Sequence, residues 1–385
     1  MFKRKLVLSQ SEKESCFLWG PRQTGKSTLL KTLFPDARYY DLLLADLYRS
    51  FVTYPERLRQ ECEASGLNGS NQKQPIVIDE VQKVPGLLDE VHWLIENRGL
   101  RFILCGSSPR KLKRSHANLL GGRAVRFELM PLTYPEIPDF SLPKALNHGL
   151  LPRHYLSAQP SKLLEAYVGD YLKEEIAIEA TTRNIPAFSR FLEIAALSNG
   201  EMINFLNIAS DCGVSAHTVK GYFQILEDTL VGRFLPAFRR RVKRRLIQAP
   251  RFFFFDTGIV SWLTRRGPVQ PGSELFGRAF EHFLTMEVFA WAAYSGSTTG
   301  IAYWRTASQL EVDLVLGDGQ VAIEIKSTAA ATDHHLKGLR AFRQEHDARC
   351  YLVSMDPRPR LTADGIRILP WRDFLDHLWS DRILE

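Results

Sequence analysis

The 385-residue chain is long enough for two or three domains with ample cores. Its composition, 45% hydrophobic and 24% charged, is that of a soluble globular protein, and no run of eighteen apolar residues is present to span a membrane. Fifty Lys and Arg against 43 Asp and Glu leave a net charge of +7, a mild excess that suits a polyanionic partner.

In the opening MFKRKLVLSQSEKES, the apolar run Leu6 to Leu8 is too short for the core of a signal peptide. Five cysteines (Cys16, Cys62, Cys105, Cys212, Cys350) stand far apart without a CxxC pair, which predicts reduced thiols in a cytoplasmic protein. Over the first 140 residues short apolar strands alternate with amphipathic helices. CFLWG (16–20) predicts a strand and TGKSTLLKTLF (24–34) a helix; ARYYDL (37–42) predicts a strand and PERLRQECEAS (55–65) a helix. The polar loop GLNGSNQKQP (66–75) leads into the strand PIVIDE (75–80), followed by the helix PGLLDEVHWLIENR (85–98) and the strand RFILCGS (101–107). This alternation implies an α/β fold with a parallel sheet covered on both faces. The Pro-rich MPLTYPEIPDFSLP (130–143) closes the block, a helical region runs to about residue 230, and a second strand–helix block begins near RFFFFDTG (251–258). The expected domains are residues 1–142, 143–250 and 251–385.

GPRQTGKST (20–28) fits GxxxxGK[ST] between a strand and a helix. Gly20, Pro21, Arg22, Gln23, Thr24, Gly25, Lys26, Ser27 and Thr28 are therefore the expected ATP-binding residues. The two glycines let the backbone wrap a phosphate, Lys26 reaches the β- and γ-phosphates, and the Ser27 hydroxyl helps hold Mg²⁺. About fifty residues on, IVIDE ends in Asp79 and Glu80, an acid for the metal and a general base for the attacking water. Ser107, at the end of the next strand, is placed to contact the γ-phosphate or the water; the competing reading is that Ser107 or Ser108 caps a turn. Among Arg22, Arg110 and Arg123, the glycine-flanked Arg123 of LLGGRAVRFELMPL is the candidate to stabilise transition-state charge, in trans in a ring, unless it pairs with a local acid.

The ordered series GPRQTGKST, IVIDEVQKVPGLLDEVHWLI, FILCGSSPRKLKR, NLLGGRAVRFELMPLTYPEI, FFFFDTGIVSWL and AIEIKS resembles a group of prokaryotic AAA-type ATPases related to the archaeal ATPases. The resemblance covers nearly the whole chain. It implies a RecA- or AAA-type ATP-binding core, a winged-helix-like middle and a C-terminal domain similar to restriction-endonuclease-type, PD-(D/E)XK nucleases. It also implies a homo-oligomer, in the form of a hexameric ring. Cys105 stands where the family often has Thr, and HGLLP (148–152) is a loose version of a Gly-Gly pattern.

In EMINFLNIASDCGVSAHTVKGYFQILEDTL (201–230) an amphipathic helix, a turn at Gly213 and a second helix capped by Ser215 form a helix-turn-helix pattern. Ala216, His217, Lys220 and Gln224 can face a DNA groove while Val219, Phe223 and Leu226 pack inward; the same module also serves ATPases as a lid or protein contact. AFRRRVKRRLIQAPR (237–251) carries Arg239, Arg240, Arg241, Lys243, Arg244, Arg245 and Arg251 without an acid. Next to a helix-turn-helix, this run predicts phosphate contact with nucleic acid rather than only a solvated face.

The last block reads as a helix (275–294), three strands IAYWR (301–305), EVDLVLG (311–317) and QVAIEIKS (320–327), a helix (335–346), strands RCYLVSM (349–355) and IRILP (366–370), and a final helix (371–379). The nuclease-type core needs an acid on the second strand and Glu-x-Lys on the third. Asp313 and Glu324 fill the metal-ligand roles for Mg²⁺ or Mn²⁺, Lys326 the water-orienting role, and Glu281 a further carboxylate. The alternative is an inactive descendant that holds DNA or a partner. Two functions follow: an Mg-ATP-hydrolysing enzyme that remodels or translocates duplex or branched DNA, Holliday junctions by analogy, or a nucleotide-dependent switch whose other domains bind protein.

Overall fold

The structure, a computed structural model, describes residues 2–8, 11, 13–110, 112, 120–175, 184–239 and 248–384. The chain forms two compact units, Met1–Pro131 with Asp228–Val231, and Leu132–Glu227 with Gly232–Glu385.

The first unit alternates β1 (Ser15–Trp19), α1 (Lys26–Leu33), β2 (Tyr39–Asp41), α2 (Ala45–Thr53), α3 (Arg57–Ala64), β3 (Ile76–Asp79), α4 (Leu87–Arg98), β4 (Phe102–Gly106) and β5 (Ala124–Glu128). β1, β3 and β4 are buried along their whole length and apolar apart from Ser15 and Asp79, the pattern of strands in a parallel sheet covered on both faces. Phe17, Trp19, Ile78, Leu87, Val91, Phe102 and Leu104 lie in its core. The strands are all parallel, in the order β2-β3-β4-β1-β5. That order inserts β4 between β1 and β3. Cys105 is level with both Leu18 and Asp79, so the residues after these strands open together at the carboxyl end of the sheet. The sequence reading omits β5, whose Arg126 and Glu128 mask it as a loop, and α2, which buries only Phe51.

The second unit opens with α5 (Leu142–His148), α6 (Pro152–Leu156) and α7 (Pro160–Ala166). Three further helices follow, α8 (Ile185–Leu197), α9 (Phe205–Cys212) and α10 (Ala216–Asp228), then an antiparallel ribbon of β6 (Gly232–Leu235) and β7 (Arg251–Phe254). Phe223 of α10 packs 4.9 Å from both Phe191 and Phe252, ring centroid to centroid, which ties helices and ribbon together. After α11 (Thr257–Leu263) and the long α12 (Glu274–Ser295), a six-stranded sheet is built from β8 (Ile301–Arg305), β9 (Glu311–Leu316), β10 (Val321–Lys326), β11 (Arg349–Ser354), β12 (Arg360–Leu361) and β13 (Arg367–Pro370), in the order β12-β13-β11-β10-β9-β8. β8, β9 and β10 form the expected meander; β10, β11 and β13 run parallel. α13 (Lys337–Arg343) and α14 (Trp371–Leu378) complete the unit.

The compact units do not follow the expected boundaries one for one: the first comprises Met1–Pro131 with Asp228–Val231, and most of the segments on either side of residue 250 lie together in the second. Buried polar anchors explain why. Asp256 caps α11 through the Gly258 and Ile259 N–H groups and also takes the Leu150 N–H; Thr257 donates to the Ala145 carbonyl. Glu287 of α12 accepts from the Tyr134 N–H and from Trp379, both at 2.8 Å. A buried carboxylate of this kind is stable only with such partners.

α13 rests on β9 backbone to backbone: a Cβ added at Gly338 would lie 1.7 Å from the Glu311 carbonyl oxygen. Gly338→Ala is therefore expected to destabilise the second unit by about 2 kcal/mol, as overpacking does, seen as a lower urea midpoint. An unchanged midpoint would contradict the contact.

Candidate functional site

The phosphate loop leaves β1 at Gly20 and enters α1 at Lys26. Gly20 has no room for a side chain, since a Cβ would meet the Leu129 carbonyl at 2.4 Å. Two successive turns need left-handed backbone, at Gln23 (φ 64°) and Gly25 (φ 95°). Arg4 pins the loop from outside by donating to the Thr24 carbonyl at 2.6 Å, and the Thr24 hydroxyl donates to Pro21 at 2.9 Å. α1 begins without a side-chain cap and without an acid in its first turn. Its N-terminal amides and dipole are thus reserved for an anion.

Lys26 is 7% exposed and donates to the Gly20 and Pro21 carbonyls at 2.7 and 3.0 Å. Burial lowers its pKa, with Glu80 and Asp79 pulling the other way. These weak carbonyl acceptors hold the ammonium where phosphate oxygens would be stronger partners. Ser27 Oγ donates to Asp79 Oδ2 at 2.6 Å, and the Tyr39 hydroxyl donates to the same oxygen. The other Asp79 oxygen accepts the Glu80 N–H at 3.0 Å. Hence Ser27 and Asp79 converge as the expected Mg²⁺ residues, and the partners of the buried carboxylate are neutral donors that a cation can replace. The residues fit a nucleotide with its metal.

Glu80 stands on left-handed backbone (φ 60°, ψ 38°), a conformation sparsely used outside glycine and common at functional sites. Its carboxylate accepts from Gln82 Nε2, which also donates to Ser107 Oγ at 3.2 Å. Gln82 is buried and bridges the candidate base to the candidate sensor. Sequence reasoning passed over Gln82, Tyr39 and Arg4; Gln82 stood in plain view two residues after Glu80. Ser108 instead donates to the Asp228 carbonyl at 3.0 Å. Arg110 pairs with Asp228, and Arg123 pairs with Glu96. The local acid therefore takes the Arg123 guanidinium, the competing reading of that residue, and nothing in the described chain directs it at the phosphate loop.

In the second unit α9 and α10 meet at Gly213 in left-handed conformation (φ 67°), and Ser215 Oγ accepts the Thr218 N–H at 3.1 Å. Val219, Phe223 and Leu226 are buried; His217, Lys220 and Gln224 are exposed. Lys220 lies over the Phe205 ring at 5.4 Å. Arg239 is exposed, while Arg240, Arg241, Lys243, Arg244 and Arg245 lie outside the described residues.

The expected nuclease-type residues do come together. β9 and β10 pair only as far as Leu314 and Ile323; beyond that they part, and Asp313 Oδ2 accepts the Ile325 N–H at 2.8 Å. Glu324 and Lys326, two apart on β10, share a face and pair at 2.6 Å, with Lys326 Nζ also 3.7 Å from Asp313. Glu281 of α12 joins them. However, Arg251 of β7 enters the cluster. Its guanidinium is 3.1 Å from Glu281 and 3.7 Å from Asp313, and it pairs with Glu311, which Arg305 also holds at 3.0 Å. Burial works against the charge of Arg251, but Glu281, Glu311 and Asp313 outweigh it and keep the guanidinium protonated. Burial, and then Asp313, raise the pKa of Glu281 and of Glu324. Glu324 Oε2, Arg251 Nε and Arg305 Nε are left buried without a hydrogen-bond partner. Among the described residues no group of three or more His, Cys, Asp or Glu is disposed to hold a metal ion. The metal expected at Asp313 and Glu324 thus does not fit the cluster as built, because Arg251 and Lys326 already stand against these acids.

Residues 12–138 match a family described as an AAA domain, residues 139–270 a domain of unknown function (DUF8612), and residues 276–374 another (DUF4143). The AAA-domain match thus covers most of the first unit, the phosphate loop included. An uncharacterized protein of Haemophilus influenzae is 22% identical over 272 residues, 62% of this chain and 66% of that protein's length. A Walker-type ATPase of Pyrococcus abyssi aligns with 68% of this chain and 96% of its own, at 14% identity and a TM-score of 0.45. A signal transduction ATPase with numerous domains from Pyrococcus horikoshii, with a tetratricopeptide repeat sensor, aligns with 75% and 45%, at 13% identity and 0.24. Neither structural likeness is close enough to carry fold or function. Among the described residues no helix is long and apolar enough to cross a membrane.

If Gln82 positions Glu80, Gln82→Ala lowers kcat for ATP about tenfold or more and leaves the affinity for nucleotide within about twofold. An unchanged kcat would remove Gln82 from the site.

Proposed function

We propose that this chain hydrolyses Mg-ATP and couples the cycle to DNA bound by its second unit. The observation that supports hydrolysis best is the convergence of Ser27 and Asp79 at 2.6 Å, with Lys26 and Glu80 on the same sheet edge. When bound, Mg²⁺ would be held by Ser27 and Asp79 and would offset phosphate charge. Lys26 exchanges the Gly20 and Pro21 carbonyls for the β- and γ-phosphates. Glu80 accepts a proton as water attacks the γ-phosphorus and ADP departs, and Ser107 reports the γ-phosphate to Glu80 through Gln82.

DNA as the partner is supported by the α9–α10 turn and by the polar face of α10, where His217, Lys220 and Gln224 are exposed over a buried Val219, Phe223 and Leu226. The ring implied by resemblance draws no support from Arg123, which is engaged by Glu96. One observation favours a second reading, a nucleotide-dependent switch acting on protein: the acids of the nuclease-like cluster are already paired with Arg251, Arg305 and Lys326.

The two readings part in one assay. For the DNA-coupled enzyme, duplex DNA raises the steady-state ATPase rate, the gain falls steeply with salt, and Lys220→Glu with Arg239→Glu abolishes it. Glu80→Gln lowers the basal rate by about 100-fold or more. A rate indifferent to single-stranded, duplex and four-way DNA, with no DNA retained, supports the switch instead. Full activity in Glu80→Gln would sink the base assignment.

A further inference from the structure

We propose that Arg251 is the resident cation of the C-terminal carboxylate cluster, and that this site is closed to divalent metal and does not cleave nucleic acid. The cluster would otherwise suit a metal. Glu281, Glu311, Asp313 and Glu324 come from one helix and two strands, and Asp313 and Glu324 are only 3% and 6% exposed. A divalent ion needs several of these oxygens within about 2.0–2.6 Å. Where they converge, however, the two terminal nitrogens of Arg251 stand among Glu281, Glu311 and Asp313. On the other side of Asp313, Lys326 is held by Glu324. Every carboxylate of the group therefore touches a protein cation.

Arg251 is not an arm that can swing aside. It is 4% exposed. Its backbone is locked twice, by pairing with Leu235 in the ribbon and by the bridge to Met202. Its guanidinium lies over the Tyr303 ring at 4.7 Å, and the Tyr303 hydroxyl donates to the Ala249 carbonyl just before the strand. To admit a metal, the site would have to expel a buried guanidinium from a cation–π contact and from three acids. The adjoining cleft of about 380 Å³ offers phosphate little either: Arg278 is paired with Glu201 and Glu274, and Arg305 with Glu311. Arg251 closes the basic run 237–251, so the sequence groups it with DNA-facing charge while the fold turns it inward.

The proposal is independent of the ATPase reading and is tested without nucleotide. Free Mn²⁺ is followed by its paramagnetic resonance signal during titration with the full chain carrying Asp79→Asn, which silences the first unit's metal residues. The expected result is no binding at micromolar Mn²⁺. Adding Arg251→Ala creates one site per chain, at least tenfold tighter than any residual binding, and Asp313→Asn removes it again. Arg251→Met replaces the alanine variant should that fail to fold by circular dichroism. Supercoiled plasmid stays intact with the Arg251 protein in Mg²⁺ or Mn²⁺. Tight Mn²⁺ binding that Asp313→Asn abolishes while Arg251 is present, plasmid cleavage lost in Asp313→Asn, or no gain of binding in a folded Arg251 variant would overturn the proposal.

Discussion

A carboxylate buried at the end of a strand has to be satisfied, and the kind of partner decides what the site can still accept. This molecule meets the requirement in two ways. Asp79, 4% exposed, is held by the Ser27 and Tyr39 hydroxyls and a backbone N–H. Those donors are neutral, so the negative charge still calls for a cation. Asp313, 3% exposed, lies between Arg251 and Lys326. Its charge is already met by groups joined to the chain. The same residue type at similar depth leaves one site open and the other filled.

Both outcomes trace to topology. In the first unit the insertion of β4 between β1 and β3 brings loop, acids and Ser107 to one edge, with Lys26 held on the Gly20 and Pro21 carbonyls. In the second unit the meander parts where Asp313 takes the Ile325 N–H, and the gap is entered by a residue from the ribbon that precedes α11. Because that ribbon and the sheet fold as one unit, the cation is a fixed part of the architecture. A buried ion group of this kind adds little net stability, yet removing one partner leaves uncompensated charge. That asymmetry makes Arg251 hard to lose.

Much of this was legible in the sequence wherever function is local. GPRQTGKST holds its geometry within nine residues, and an apolar strand ending in Asp79 and Glu80 needs only a period and a length to be recognised. Glu324 and Lys326 share a face because a strand repeats every two residues, and Asp313 followed from the meander. Arg251 was not legible in its actual role. Its partners Glu281 and Glu311 lie 30 and 60 positions further on, and no spacing rule connects a ribbon strand with a helix and a sheet strand. The single second unit was hidden for the same reason, since Asp256 with Leu150 and Glu287 with Tyr134 are contacts 106 and 153 positions apart. Gln82 was overlooked because its amide has meaning only once Ser107 is alongside.

The contrast between the two acids can be read most directly by locating the metal. Crystals of the full chain grown with Mn²⁺ and a non-hydrolysable ATP analogue, measured at the manganese edge, should give one anomalous peak per chain, beside Ser27 and Asp79, with Arg251 still among Glu281, Glu311 and Asp313. A peak within the Glu281–Asp313–Glu324 cluster, or none beside Ser27 and Asp79, would contradict the account.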